Sequence, residues 1–187
     1  MRTLIALFVG CFISASAVAG VPGDAWRQAR IRPQDPRLEH VIREGIARSA
    51  TFRNIVNRIE AGNVFVYVSL TPNLRPSLAG KLTWMTQAGA FRYLKATLST
   101  EQNTMQMIAT LAHELQHALE VSDDPGVVDQ RSMLGLYQRI GRPSASGIKE
   151  MWETVAARDT GLQVHRELFA AAAVAATPTR VSDSTQS

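Results

Sequence analysis

Apolar residues fall at Leu38, Val41, Ile42, Ile46, Phe52, Ile55, Val56 and Ile59. This is close to the period that turns one stripe of a helix toward a core. Asp35-Pro36 supplies an N-cap and a first-turn proline, and Gly62-Asn63 supplies a stop. The pattern then changes. Residues 64–70, VFVYVSL, are β-branched and aromatic and predict a strand. TPNLRPSLAG is a proline-rich loop. KLTWMTQ (81–87) and FRYLKATLS (91–99) alternate around Ala88-Gly89-Ala90 and predict a hairpin. In its second strand Phe91, Tyr93, Lys95, Thr97 and Ser99 face one way, and Arg92, Leu94, Ala96 and Leu98 face the other. Thr100 can cap a helix over roughly 101–120, which Asp123-Asp124-Pro125-Gly126 breaks. Val127 to Ile140 predicts another helix, ended by Gly141-Arg142-Pro143. Ser146 or Gly147 opens a last helix running to about Ala173. Strands grouped ahead of helices predict an α+β fold, with a small antiparallel sheet followed by one helix and two further helices.

The two ends depart from this patterning. Residues 1–19 carry a single charge, Arg2, then an apolar run from Leu4 to about Val18. Ala17-Val18-Ala19 has the small-residue form of a cleavage site, so the segment is laid out as a secretory signal peptide. The run is short for a membrane span of roughly 20 apolar residues. A lipoprotein reading of Cys11 is weaker, because Phe8 is a poor opening residue for a lipobox. The protein is therefore expected in a bacterial periplasm or the extracellular space, with no stable membrane anchor after cleavage. Residues 20–36 hold Pro22, Pro33 and Pro36 and form an extended lead-in, and 37–173 form the domain. Residues 174–187, which include the polar and aperiodic TPTRVSDSTQS, are expected to be disordered.

Composition narrows the chemistry. Cys11 is the only cysteine, so the chain after cleavage has no disulfide, thiolate ligand or cysteine nucleophile. Net charge is +4, and +3 without Arg2. Asp35, Glu39, Glu44 and Glu60 are interspersed among the arginines of residues 27–58, so no nucleic-acid partner is expected. Oligomeric state is not encoded in any of these patterns.

The candidate chemistry concentrates in LAHELQHALE, residues 111–120. Positions i and i+4 of a helix lie one above the other, so His113 and His117 can address one ion, with Glu114 beside them. Zinc accepts neutral imidazole, and an open coordination position lowers the pKa of a bound water to about 7. Glu114 would take that water's proton as general base and return it to a leaving amine. The bland alternative is a buried helix with two partly exposed histidines. That alternative leaves Glu114 charged on an apolar helix with no partner, which is costly. Met105, Met107 and Met133 are expected as core fillers, and His40 at the surface.

LAHELQHALE resembles the active-site helix of the zincin metallopeptidases, and a sheet followed by that helix is similar to the zincin N-terminal subdomain. The resemblance implies a substrate groove beside the sheet's edge strand, with peptide added as a further strand. FRYLKATLS is the expected edge. The chain also resembles exported bacterial HExxH proteins of no assigned function that carry a downstream Glu-Thr-x-Ala-Ala-Arg, here Glu153 to Arg158.

A catalytic zinc site needs a third protein ligand. The extended HExxHxxGxxH pattern of the metzincins is absent, since Glu120 and Asp123 stand at its Gly and His positions. No histidine lies between His117 and His165, which points to a carboxylate. MWETVAARDTG resembles the glutamate helix of the gluzincins, and on that resemblance Glu153, on a later helix, is the third ligand. Glu120 is the runner-up, as a ligand or as a residue behind the ligands, and Asp129 is third. Asp123 and Asp124 read as turn residues. Tyr137, Arg139 and His165 are candidates for an oxyanion donor, and spacing selects none of them. Trp84 and Trp152 are expected in the core or a groove wall. The expected function is an exported zinc metallopeptidase acting on peptide or protein, with Glu114 as base and His113, His117 and Glu153 on the metal. The alternative is a zincin-like metal-binding module with little or no hydrolysis.

Overall fold

A computed structural model describes residues 28–75, 77–143 and 151–176. The signal-peptide region, the expected helix start at Ser146 or Gly147 and residues 177–187 lie outside the described residues. Two helices stand where the apolar period suggests one. α1 (Pro36–Arg48) begins as expected, with Asp35 accepting from the Arg37 N–H and Pro36 in the first turn. At Ser49 the backbone becomes extended, with φ −126° and ψ 121°. Ser49 ends α1 and caps α2 (Ala50–Ala61), its hydroxyl accepting from the Phe52 N–H at 3.0 Å. Leu38, Val41 and Ile42 before the break and Phe52, Ile55, Val56 and Ile59 after it enter one core. The hydrophobic period therefore runs through the break and hides it.

β1 (Ile31–Pro33), β2 (Val64–Thr71), β3 (Gly80–Ala88) and β4 (Phe91–Ser99) form one sheet in the order β1-β2-β4-β3. β1 and β4 are both parallel to β2, and β3 is antiparallel to β4 with a bulge between Trp84 and Thr86. The sheet is mixed, which corrects the expected antiparallel one. β4 is interior, and β3 is the free edge in its place. The turn at Gly89 (φ 57°) folds β3 onto one side of β4, and β2 takes the other. Side-chain alternation reports buried faces and not paired edges, so the two hairpin strands look alike in sequence.

α3 (Thr104–Asp123) starts three residues beyond the position that a Thr100 cap would give. Asn103 and Gln106 each accept the other's backbone N–H at 3.0 Å, a capping box that outcompetes Thr100. α4 (Gln130–Ile140) starts on a similar box between Asp129 and Ser132. Two short strands follow, β5 (Arg142–Pro143) and β6 (Trp152–Glu153), paired antiparallel. α5 (Val155–Ala176) closes the fold and runs past the expected end at Ala173. Glu153 is therefore on a strand and not on a helix. Thr154 caps α5 through its hydroxyl, which accepts from the Ala157 N–H at 3.1 Å, so the helix cannot include Glu153. α1, α2 and α3 pack on the sheet and α5 packs along α3. Val64, Val66, Val68, Leu94, Ala96 and Leu98 are fully buried between sheet and helices. The architecture, among the described residues, is α+β with five helices and a small mixed sheet. Among the described residues no helix is long and apolar enough to cross a membrane.

Candidate metal centre

α3 carries Ile108, Leu111, Leu115, Ala118, Leu119 and Val121 into the core, and this burial takes Glu114 (5% exposed) and His117 (6%) with it. Arg92 of β4 pins the end of the helix. Its guanidinium donates to the carbonyls of Val121, Ser122 (3.4 Å) and Asp124 (2.8 Å), which have no partner within the helix. α5 is laid against the other end of the motif at Gly161. A Cβ on Gly161 would stand 3.3 Å from the Ala109 carbonyl oxygen and 3.4 Å from the His113 Cβ. This close approach brings β6, just ahead of α5, to the motif.

One ligand atom each from His113, His117 and Glu153 lies within 4.8 Å of the others, a group that can hold a metal ion. His113 Nε2 is 3.6 Å from Glu153 Oε2, and the two imidazoles meet edge to face with centroids 4.9 Å apart. Glu120 stands behind His117, not in the ligand group. It accepts from His117 Nδ1 at 2.8 Å and from the Thr154 hydroxyl at 2.6 Å. A carboxylate accepts, so in the neutral ring the hydrogen sits on Nδ1 and Nε2 carries the lone pair. Tyr137 of α4 packs edge to face on His117 and donates to the His117 carbonyl at 3.0 Å.

The donor set fits a divalent ion. Glu153 Oε1 is buried and has no hydrogen-bond partner among the described residues, a deficit that an ion between the three ligands would remove. Burial, helped by the His117 charge, lowers His113 to about 4, which keeps it neutral as a metal ligand must be. Burial pushes His117 down, but the Glu120 hydrogen bond and the Glu114, Glu120 and Glu153 charges more than reverse this and hold it above the usual imidazole value. Burial lifts Glu114 to about 7; the His117 charge opposes the rise and the Glu153 charge adds to it. Burial likewise lifts Glu153 above the usual carboxylate range, with His117 opposing. The Glu153 charge acts on Glu114 and the Glu120 charge on Glu153, which favours a cation among them.

The remaining candidates are placed elsewhere. Asp129 caps α4, accepting from the Ser132 N–H at 2.7 Å. Asp123 pairs with Arg58 at 3.1 Å, and Asp124 pairs with Arg139 at 2.6 Å. His165 is exposed on α5. Arg139 and Tyr137 are thus both engaged, with Asp124 and with the His117 carbonyl.

A cavity of about 980 Å³ opens over the group. One wall is the free edge strand from Gly80 to Trp84; Met133 and Tyr137 of α4 and Trp152 of β6 supply others. A Cβ on Gly80 would lie 2.7 Å from Thr110 Cγ2 and 2.9 Å from Glu114 Oε1, so glycine there leaves room for the Glu114 carboxylate. Sequence patterns do not single out Gly80 or Gly161, because each acts by lacking a Cβ against a residue far along the chain. Thr154 did carry a signal, a threonine just ahead of a helix. No protein-family model, curated protein or solved structure matches the chain, so what the site can do rests on its own geometry.

Proposed function

We propose that this protein is a zinc-dependent peptidase of zincin type, exported and acting on peptide or protein. One observation carries the reading. Two imidazoles and a carboxylate converge within 4.8 Å beside a buried glutamate, in a cavity walled by a free strand edge. Two His and one Glu form a ligand set used by catalytic zinc sites. Bound there, zinc supplies a Lewis acid that polarises a carbonyl and acidifies water.

The chain's own residues do the rest. Glu114, lifted to about 7, can hold or release a proton near neutral pH, and it moves one from the attacking water to the leaving amine. The free edge of β3 offers backbone N–H and C=O groups to an extended peptide, which lays the scissile bond across the site. Leu82, Trp84, Met133 and Trp152 line the cavity and take apolar side chains. The leader pattern of residues 1–19 supports export.

One observation favours a metal-binding module with little hydrolysis instead. Tyr137, the one expected oxyanion donor that lines the cavity, has its hydroxyl committed to the His117 carbonyl. The test is metal content together with cleavage of a peptide library. Wild type is expected to hold about one zinc and to cleave, and Glu114→Gln to keep the metal and lose cleavage. Metal without cleavage in wild type selects the module. Protein purified without chelators that neither holds nor takes up metal overturns both.

A further inference from the structure

The sheet has a second face, turned away from the helices. Register places Arg32, Tyr67, Lys95 and Thr83 in one row across it, Phe65, Tyr93 and Thr86 in another, and Ser69, Thr97 and Lys81 in a third. Val66, Val68, Leu94 and Ala96 at the alternate positions are fully buried against the helices, so these rows form the other face, on which Thr97 (8% exposed) is buried as well. Arg30 stands just ahead of β1, its carbonyl bonded to the Val66 N–H at 2.8 Å.

The charged side chains of the strands on this face are all basic; the Glu60 carboxylate of α2 meets its edge, accepting from the Arg30 N–H at 2.8 Å and the Ile31 N–H at 3.2 Å. No Asp or Glu occurs in any of the four strands. Arg37, Arg43, Arg48 and Arg58 on or beside the helices each pair with an acidic side chain. Arg30, Arg32, Lys81 and Lys95 form no ion pair among the described residues. They come from three strands and the segment ahead of one, so the linear sequence shows no basic stripe.

Two of these cations are held on rings. The Arg30 guanidinium lies 4.7 Å from the Phe65 centroid and 4.5 Å from that of Phe91. The Arg32 guanidinium lies 4.5 Å from Phe65 and donates to the Tyr67 hydroxyl at 3.1 Å. A guanidinium stacked on a ring is weakly hydrated and pre-organised. Arg32 Nε also donates to the Ala29 carbonyl at 3.0 Å, which leaves its Nη2 edge for an anion. Arg30 Nη1 is itself buried and has no hydrogen-bond partner among the described residues. Two guanidiniums over one ring repel each other, and an anion would relieve that repulsion.

We propose that this face docks on a bilayer containing anionic phospholipid, with Arg30, Arg32, Lys81 and Lys95 toward the phosphate groups. The rings decide among polyanions. Phe65 is stacked on Tyr93 at 5.1 Å and capped by both guanidiniums, so it is not open for the base stacking that single-stranded nucleic acid uses. What is offered is an array of donors and positive charge, with Phe91, 36% exposed, where the hairpin turn meets β4. Such a mixture of cations and a partly exposed ring suits a headgroup surface.

The test is co-sedimentation of the full chain with vesicles of phosphatidylglycerol and phosphatidylcholine, against phosphatidylcholine alone. The apolar leader contributes to every sample, so the comparison runs between lipids and between variants. Binding is expected to favour the anionic vesicles and to fall with salt. Each cation contributes about fivefold, so Arg30→Gln with Arg32→Gln is expected to lower the partition coefficient about 25-fold. Lys81→Gln with Lys95→Gln, which leaves the ring stacks intact, is expected to do the same. Arg37→Gln with Arg43→Gln, on α1, is expected to change it little. No preference for anionic vesicles, an equal loss from the α1 pair, or tighter binding to single-stranded DNA than to vesicles would each overturn the proposal.

Discussion

Glu120 holds the Nδ1 of His117 at 2.8 Å with one oxygen and the Thr154 hydroxyl at 2.6 Å with the other. One carboxylate thus ties the motif helix to the residue beside Glu153, away from competing water. Glu120→Gln keeps the shape but replaces an acceptor by an NH₂ group that faces a donor. Metal affinity is expected to fall 10–100-fold, by titration of metal-free protein, with the unfolding midpoint little changed. Thr154→Val is expected to lower it in the same direction. Unchanged affinity in both variants would mean that the link does not position His117.

Gly80 and Glu114 meet with no room between them. In Gly80→Ala the new Cβ would stand 2.9 Å from Glu114 Oε1 and 2.7 Å from Thr110 Cγ2, so the carboxylate or the edge strand must shift. A displacement of about 1 Å in a catalytic group can cost about 10²-fold. On the proposed peptidase reading, the expected result is a kcat lower by about that factor, with metal content unchanged. Full kcat in Gly80→Ala would show that the contact does not position the base.

His113, Glu114 and His117 were legible because helical periodicity alone sets their spacing. The three long strands, β2, β3 and β4, and the caps at Asp35 and Gly62 were legible for the same local reason. What failed was non-local. Ser49 splits a helix while the apolar stripe continues on both sides, and its extended backbone is stabilised by Glu167, far along the chain. β4 alternates as an edge strand would, but its pairing with β2 depends on a crossover that no local pattern encodes. In the pattern MWETVAARDTG, Glu153 reads as part of a helix. It reaches the site from a two-residue strand, and its position is set by the Thr154 cap and the Gly161 contact.

Glu153 and Asp129 separate a proposed ligand from a cap. Glu153→Ala is expected to abolish metal uptake, since two imidazoles alone leave the site open. Asp129→Ala removes the α4 cap and is expected to cost about 1 kcal/mol of stability while keeping the metal. Linkage gives a second readout. Zinc at 100 times its Kd should stabilise wild type by about 2.7 kcal/mol and leave Glu153→Ala unmoved. Thermal unfolding with and without zinc measures both, and an equal response in the two proteins would remove Glu153 from the ligand set.

Acid sensitivity is expected to centre on Glu167. Its carboxylate accepts from the Ser49 hydroxyl (2.6 Å), the Thr51 hydroxyl (2.6 Å), the Thr51 N–H (3.1 Å) and Gln163 (3.0 Å), joining α5 to the start of α2. Partial burial alone would raise this carboxyl; the hydrogen bonds from Ser49, Thr51 and Gln163 outweigh it and hold the group at about 2, against 4.5 when free. The folded state therefore binds fewer protons than the unfolded one in that interval. The stabilisation is full above the unfolded value and is lost as pH falls from about 4.5 toward about 2. Glu167→Gln is expected to cost about 1–3 kcal/mol at neutral pH and to flatten the loss in acid. Urea midpoints for both proteins, taken from neutral pH down through this interval, measure it. Parallel curves would place the acid-sensitive group elsewhere in the fold.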